Sequence, residues 1–197
     1  MSRRIVVALL TPPAWAPPGV PPEAWREALA EDVVDLIAAL AAADAGIAVA
    51  SADRALADSL AWPSMSRFSM ETSSVTAALV AATEAGYDQA AVIAGDAPDL
   101  PGLLVGKLLQ PLTTRRAGVA PAHNGGLLGV SSRLPLPEWF PQIDLDKGTP
   151  DDLRGAAPRR AQVAVTPGWH RLRGPDDLRR LDPGLDGWDN TRLLLGG

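Results

Sequence analysis

Two carboxylates, Asp96 and Asp99, stand in the turn Gly-Asp-Ala-Pro-Asp-Leu-Pro directly after the apolar run Ala90–Ala94. A hard cation such as Mg²⁺ is held by one or two carboxylates together with substrate phosphates and waters. An acidic turn at the end of a strand can supply that arrangement. The same residues also suit a plain loop, with Asp99 capping the helix that begins near Pro101. Spacing alone leaves both readings open. A second turn, Asn124-Gly125-Gly126, follows His123, which is placed either to contact a substrate or to sit half-exposed in the turn. Other chemistries find no residues. The chain has no cysteine, which removes disulfides, thiolate catalysis and Cys-based zinc sites. Neither G-x-x-x-x-G-K-[ST] nor G-x-G-x-x-G occurs. His123 and His170 are the only histidines, and neither has a serine neighbour that suggests a hydrolase triad.

These turns need strands and helices to hold them. Arg4 to Leu10 is an apolar, β-branched run, as expected of a buried parallel strand. Thr11–Pro22 is too rich in proline to be helix or central strand. From Glu23 the pattern is strongly helical, with Gly46 as its exit and Ile47 to Ala50 as a second strand. The segment around Arg54 reads as a helical turn and WPSMSRFSMETS as a loop. Then come a helix ending at Gly86, the strand Ala90–Ala94, the acidic turn and a further helix. Beyond Pro111 the pattern gives a strand, the Asn-Gly-Gly turn and a second strand. A loop with short helical pieces, strands near Val163 and His170, a helix at PDDLRRL and a polar tail complete the chain. Strands alternating with helices imply an α/β fold, a three-layer α/β/α sandwich on a mostly parallel sheet, with residues 1–197 as one domain. In such sheets ligands sit at the carboxyl ends of the strands, where the acidic turn falls.

Composition narrows the partners. A charged share of 21% and a hydrophobic share of 47% are those of a globular protein, and a net charge of −5 argues against nucleic-acid or membrane partners. No apolar stretch reaches the roughly 18 residues of a membrane span. MSRRIVVALL runs into prolines with no small-residue cleavage site, so the expected location is cytoplasmic.

The order of the motifs resembles one family. An N-terminal strand, a [GTS]-D-x-P-D-L turn, then P-x-x-[DN]-G-G and a late W-x-x-x-x-x-P-[DE]-D-L are similar to the bacterial glycosyltransferase-like proteins of the nucleotide-diphospho-sugar transferase superfamily. These are relatives of molybdenum-cofactor guanylyltransferase and phospholactate guanylyltransferase. The resemblance implies a GT-A-like fold over nearly the whole chain. It places Asp96 on a metal that bridges nucleotide phosphates, and sets Pro121, Asn124, Gly125 and Gly126 on the acceptor side. Glycine there makes physical sense, because backbone approaches a ligand closely only where no Cβ intrudes.

Three departures stand out. The family's basic loop, P-G-x-x-K-T-R-L, is replaced by TPPAWAPPGVPPEAW, with no Lys or Arg before Arg26. The family's D-V-D-T-P-E-D-L becomes Arg171-Leu-Arg173-Gly-Pro-Asp-Asp-Leu, so arginines replace both acids. Asn124 stands for the Asp of D-G-G; an amide hydrogen-bonds a sugar hydroxyl but cannot act as a base. Arg171 and Arg173 can neutralise phosphates in place of a metal or lysine, or be surface residues paired with nearby acids. Asp144-Leu-Asp146 imitates the D-x-D of many glycosyltransferases, and serves equally as a turn before the helix at Thr149. Trp15, in the proline-rich loop, is expected to pack into the emptied phosphate cleft.

Two functions compete. One is a nucleotidyl- or glycosyltransferase using a nucleotide or nucleotide sugar, with an eroded phosphate loop, Asp96 and Asn124 as catalytic residues and Mg²⁺ at Asp96. Asp99, His123, Gly125, Gly126, Arg171 and Arg173 would then bind substrate. The other is a catalytically degenerate family member acting as a binding or assembly protein.

Overall fold

The computed structural model describes residues 2–196. Strand β1 (Arg4–Leu9) alternates its side chains between two cores, which is why its sequence is apolar throughout. Val6, Ala8 and Leu10 meet helix α1 (Pro22–Ala38) on one face; Ile5, Val7 and Leu9 meet helix α3 (Val75–Glu84) on the other. The same division runs through β2 (Asp44–Ala50) and β4 (Gln89–Ala94), so the molecule has three layers. Helices α2 (Arg54–Leu60) and α4 (Gly102–Leu109) share the α1 face, while α5 (Pro150–Ala156) lies with α3.

The sheet has seven strands in the order β3-β2-β1-β4-β6-β5-β7, with β3 Ser66–Met70, β5 Ala117–Pro121, β6 Leu127–Arg133 and β7 Val163–Val165. Strand β6 runs antiparallel to β4 and β5; the other pairings are parallel. The two apolar runs read as strands at Arg4–Leu10 and Ala90–Ala94 are both internal to the sheet. β1 lies between β2 and β4, and β4 between β1 and β6. Among the described residues no helix is long and apolar enough to cross a membrane.

Several elements differ from the sequence reading. The segment read as a loop contains β3, an edge strand pairing only with β2, in which alternate residues are half-buried. Phe68 and Met70 supply its apolar side, but Ser66 shares that side and Arg67 and Ser69 alternate with it, which hides the pattern. Helix α1 stops at Ala38 rather than near Gly46, because β2 already begins at Asp44, opposite Ile5. PDDLRRL forms a 3₁₀ segment, Pro175–Arg180. His170 lies outside any strand, next to an isolated bridge between Ala122 and Trp169. The tail carries helix α6 (Asp189–Leu194), docked on α1.

Candidate functional site

The carboxyl ends of β1 and β4 lie side by side, and the acidic turn leaves between them. Gly95 makes this possible: a Cβ there would stand 2.7 Å from Leu10 Cδ2 and 3.2 Å from the Leu9 carbonyl. The next residue, Asp96, is gripped by Arg171. Arg171 Nε donates to Asp96 Oδ1 at 2.6 Å and Nη2 to Oδ2 at 2.9 Å, the two-pronged guanidinium–carboxylate pairing. The backbone N–H of Leu172 adds a bond to the Asp96 carbonyl at 2.7 Å.

The remaining donors of Arg171 are also spent. Nη1 donates to the carbonyls of Leu127 (3.2 Å) and Leu145 (3.0 Å), and Nη2 lies 2.8 Å from Asp146 Oδ1. All five guanidinium N–H groups therefore have acceptors within the protein. Only 3% of this side chain is exposed. Burial disfavours its charge, but Asp96 and then Asp146 outweigh burial and hold the guanidinium above its ordinary pKa.

Arg173, two residues on, clamps the second turn. Its Nη2 donates to the carbonyls of Asn124 and Gly125, and Nη1 stands 3.8 Å from Asp146. Asn124 in turn donates through Nδ2 to the Arg171 carbonyl at 2.8 Å. Gly126 (φ +74°) has no room for a Cβ, which would stand 2.5 Å from the Leu145 carbonyl oxygen. The Arg-Leu-Arg segment thus straps the acidic turn, the Asn-Gly-Gly turn and the Asp144–Asp146 loop together.

Asp99 is neither exposed nor a helix cap. Its side chain is fully buried; Oδ1 accepts from Trp169 Nε1 at 3.1 Å and lies 3.0 Å from His170 Nε2. Pro101 occupies the cap position of α4 without a side-chain bond. His123 is exposed, and its ring is tilted at 6.4 Å from that of Trp169, which stacks on His170. Asp144 fills the role of a turn residue, accepting from the backbone N–H of Asp146, while Thr149 and Asp152 form a capping box at α5.

Two hollows flank the strap. A cleft of about 310 Å³ is lined by Leu9 and Thr11, by Thr72, Ser73 and Ser74 before α3, by residues 142–146 and by Arg171. Its size and hydroxyl-rich wall suit a polar small molecule. A groove of about 360 Å³ on the other side is bordered by Ala14, Asn124, Arg173 and residues 174–177. Asp96 opens on neither; it borders a crevice of about 10 Å³ with Leu10, Pro13 and Arg26. Three buried polar atoms without a hydrogen-bond partner lie near the strap: Asp99 Oδ2, Asn124 Oδ1 and Arg173 Nε. Such orphans are rare in packed proteins.

The residues present do not fit a divalent cation at Asp96. Both its oxygens face a buried guanidinium, which leaves no free carboxylate edge and sets a cation in the place a metal would take. The proline-rich loop offers no replacement. Trp15 packs edge-on against Trp25 of α1, with ring centres 6.2 Å apart, in a small core with Leu172. Arg26 is spent on Asp53, at 2.9 and 2.7 Å. Sequence reasoning missed the Asp146–Arg171 pair and the Asp99–Trp169–His170 group. Each joins segments far apart in the chain, and only the Trp-His-Arg-Leu-Arg run hinted at them.

The fold is that of the nucleotide-diphospho-sugar transferases. A provisionally named nucleotide-diphospho-sugar transferase of Desulfovibrio desulfuricans G20 superposes with a TM-score of 0.68 at 19% identity, over 100% of this chain and 96% of that one. The 4-diphosphocytidyl-2C-methyl-D-erythritol synthase of Anaerococcus prevotii DSM 20548 gives 0.62 at 10% identity, over 98% and 96%. Glucosyl-3-phosphoglycerate synthase of Mycobacterium tuberculosis, solved with Mn²⁺, uridine diphosphate and phosphoglyceric acid, gives 0.55 at 16% identity, over 98% and 77%. No protein-family model and no curated protein matches the chain.

Proposed function

We propose that this protein is a nucleotidyl- or glycosyltransferase-type protein that binds a nucleotide or nucleotide sugar in the 310 Å³ cleft, with Arg171 standing in for a divalent cation. The observation that carries the reading is the position of Arg171. It forms part of the cleft wall and is at the same time the counter-ion of Asp96. A phosphate entering the cleft would gain a guanidinium donor by displacing Asp146, whose side chain is 55% exposed and free to swing into water. Arg173 and Asn124 would meet the acceptor in the neighbouring groove, and Asp96 would hold Arg171 in place. Catalysis in such a site consists of positioning and charge neutralisation at the phosphates.

The second reading, a binding protein without turnover, is favoured by one observation: every donor of Arg171 is already satisfied inside the protein. A thermal-shift panel of uridine, cytidine and guanosine diphosphates and their sugar conjugates tests the shared claim. Ligand at 100 times its dissociation constant stabilises by about 2.7 kcal/mol, and at least one of the panel is expected to do so. A folded protein that none of them stabilises would overturn both readings. Release of the nucleoside diphosphate over time then separates enzyme from binder.

A further inference from the structure

At the opposite end of the sheet lies a groove of about 320 Å³ that nothing above explains. Arg115 and Arg116 immediately precede β5, Arg133 ends β6, and Arg159 and Gln162 precede β7; all five line it. Strand β6 starts at the candidate site and ends here, so about 3.3 Å per residue puts roughly 20 Å between the two.

The groove is unusual in its charge. The protein is acidic overall, at −5, yet no Asp or Glu lines this hollow. Among the described residues none of the four arginines has a carboxylate within ion-pair distance; nine other arginines do, and of the rest only Arg4, Arg54 and Arg154, which do not line this hollow, lack one. Two of the four are pinned by backbone. Arg133 donates through Nε and Nη2 to the carbonyls of Leu112 and Thr113, and Arg115 through Nη1 to that of Ala161. Arg115 is exposed and Arg133 half-buried, and both keep unspent N–H groups. Arg116 and Arg159 are exposed, and their guanidinium groups donate to nothing among the described residues. Gln162 adds an acceptor: its Oε1 is buried and has no donor.

We propose that this groove is a binding site for a small phosphorylated molecule that carries a hydroxyl beside its phosphate. Four like charges in one hollow repel unless an anion lies between them. Guanidinium forks match phosphate oxygens in pairs. A hydroxyl on the ligand would donate to Gln162 Oε1, which a phosphate group itself can do only through a P–OH that it retains. The acidic remainder of the surface opposes a nucleic acid, which would extend far beyond the hollow.

Calorimetry with inorganic diphosphate and with ribose 5-phosphate tests the proposal on the full chain. Arg116→Ala, Arg159→Ala and the double variant remove exposed side chains without internal bonds, so they should fold as the wild type does. Both probes should bind the wild type, each single variant should weaken binding at least fivefold, and the double variant should abolish it. Gln162→Leu should weaken ribose 5-phosphate several-fold, and by more than it weakens diphosphate. The proposal is overturned if neither probe binds, or if the double variant binds as the wild type does, which would place the anion at Arg171 and Arg173. It is also overturned if a single-stranded oligonucleotide binds more tightly than both probes.

Discussion

Arg171 can be tested by shortening it, because its partners would then be stranded. Asp96 is 14% exposed at its side chain, and the carbonyls of Leu127 and Leu145 depend on the same guanidinium. Breaking a buried pair by removing one partner typically costs about 3–5 kcal/mol. Arg171→Ala should lose stability on that order in urea denaturation, and Arg171→Lys should recover little, since an ammonium cannot serve both oxygens of Asp96 and two carbonyls at once. A loss under about 1 kcal/mol would mean that the strap holds nothing. Asp96 and Arg171 were both legible in the sequence as residues with a role; their union was not. The resemblance pairs Asp96 with a metal, and nothing local in either segment shows that a side chain 75 residues away takes both oxygens.

At the scale of elements, α6 gives the clearest case of a feature with no local signature. Six residues do not sustain a helix alone. Its first amides are capped by Asp32 of α1, which accepts from the backbone N–H groups of Asn190 and Thr191 at 3.0 and 2.9 Å. Asp32→Ala would strand these amides, so it should cost about 1–3 kcal/mol and raise hydrogen exchange across α6 first. Burial pushes the Asp32 carboxyl above its usual range, against the opposing bonds from Thr191 and Asn190. A folded-state pKa above the unfolded one means that the folded state binds the extra proton. The contribution of Asp32 to stability should therefore fall as pH rises from the unfolded value of about 3.9 through the raised one. Asp53 has the opposite sign. Its bond to Arg26 lowers its pKa, so its contribution is present above about pH 4 and lost as pH falls through the depressed value. Comparing Asp32→Asn with the wild type in denaturation at about pH 4 and 7, and Asp53→Asn with the wild type at about pH 2.5 and 5, checks both signs. β1, β4 and the helices around them were legible because apolar runs and amphipathic periods are local. β3 and α6 depend on a sheet edge and on a distant carboxylate.

For the whole molecule, the strap and the packed proline-rich loop decide what can bind. The loop lacks the amides and cations of a phosphate cradle, its tryptophan is committed to a core, and Arg26 is committed to Asp53. Nucleoside triphosphates should accordingly bind no more tightly than the diphosphates, in titrations of GTP and CTP against GDP and CDP. The central claim is that a protein-borne guanidinium replaces the divalent cation. Its most direct test is calorimetry of uridine diphosphate, cytidine diphosphate and guanosine diphosphate in Mg²⁺ and in EDTA, with wild type and Asp146→Asn. Affinity for the preferred diphosphate should be the same in both media. It should rise several-fold in Asp146→Asn, where the competing carboxylate of Arg171 is neutralised. Binding that vanishes in EDTA and does not respond to Asp146→Asn would contradict the account and return the site to a metal.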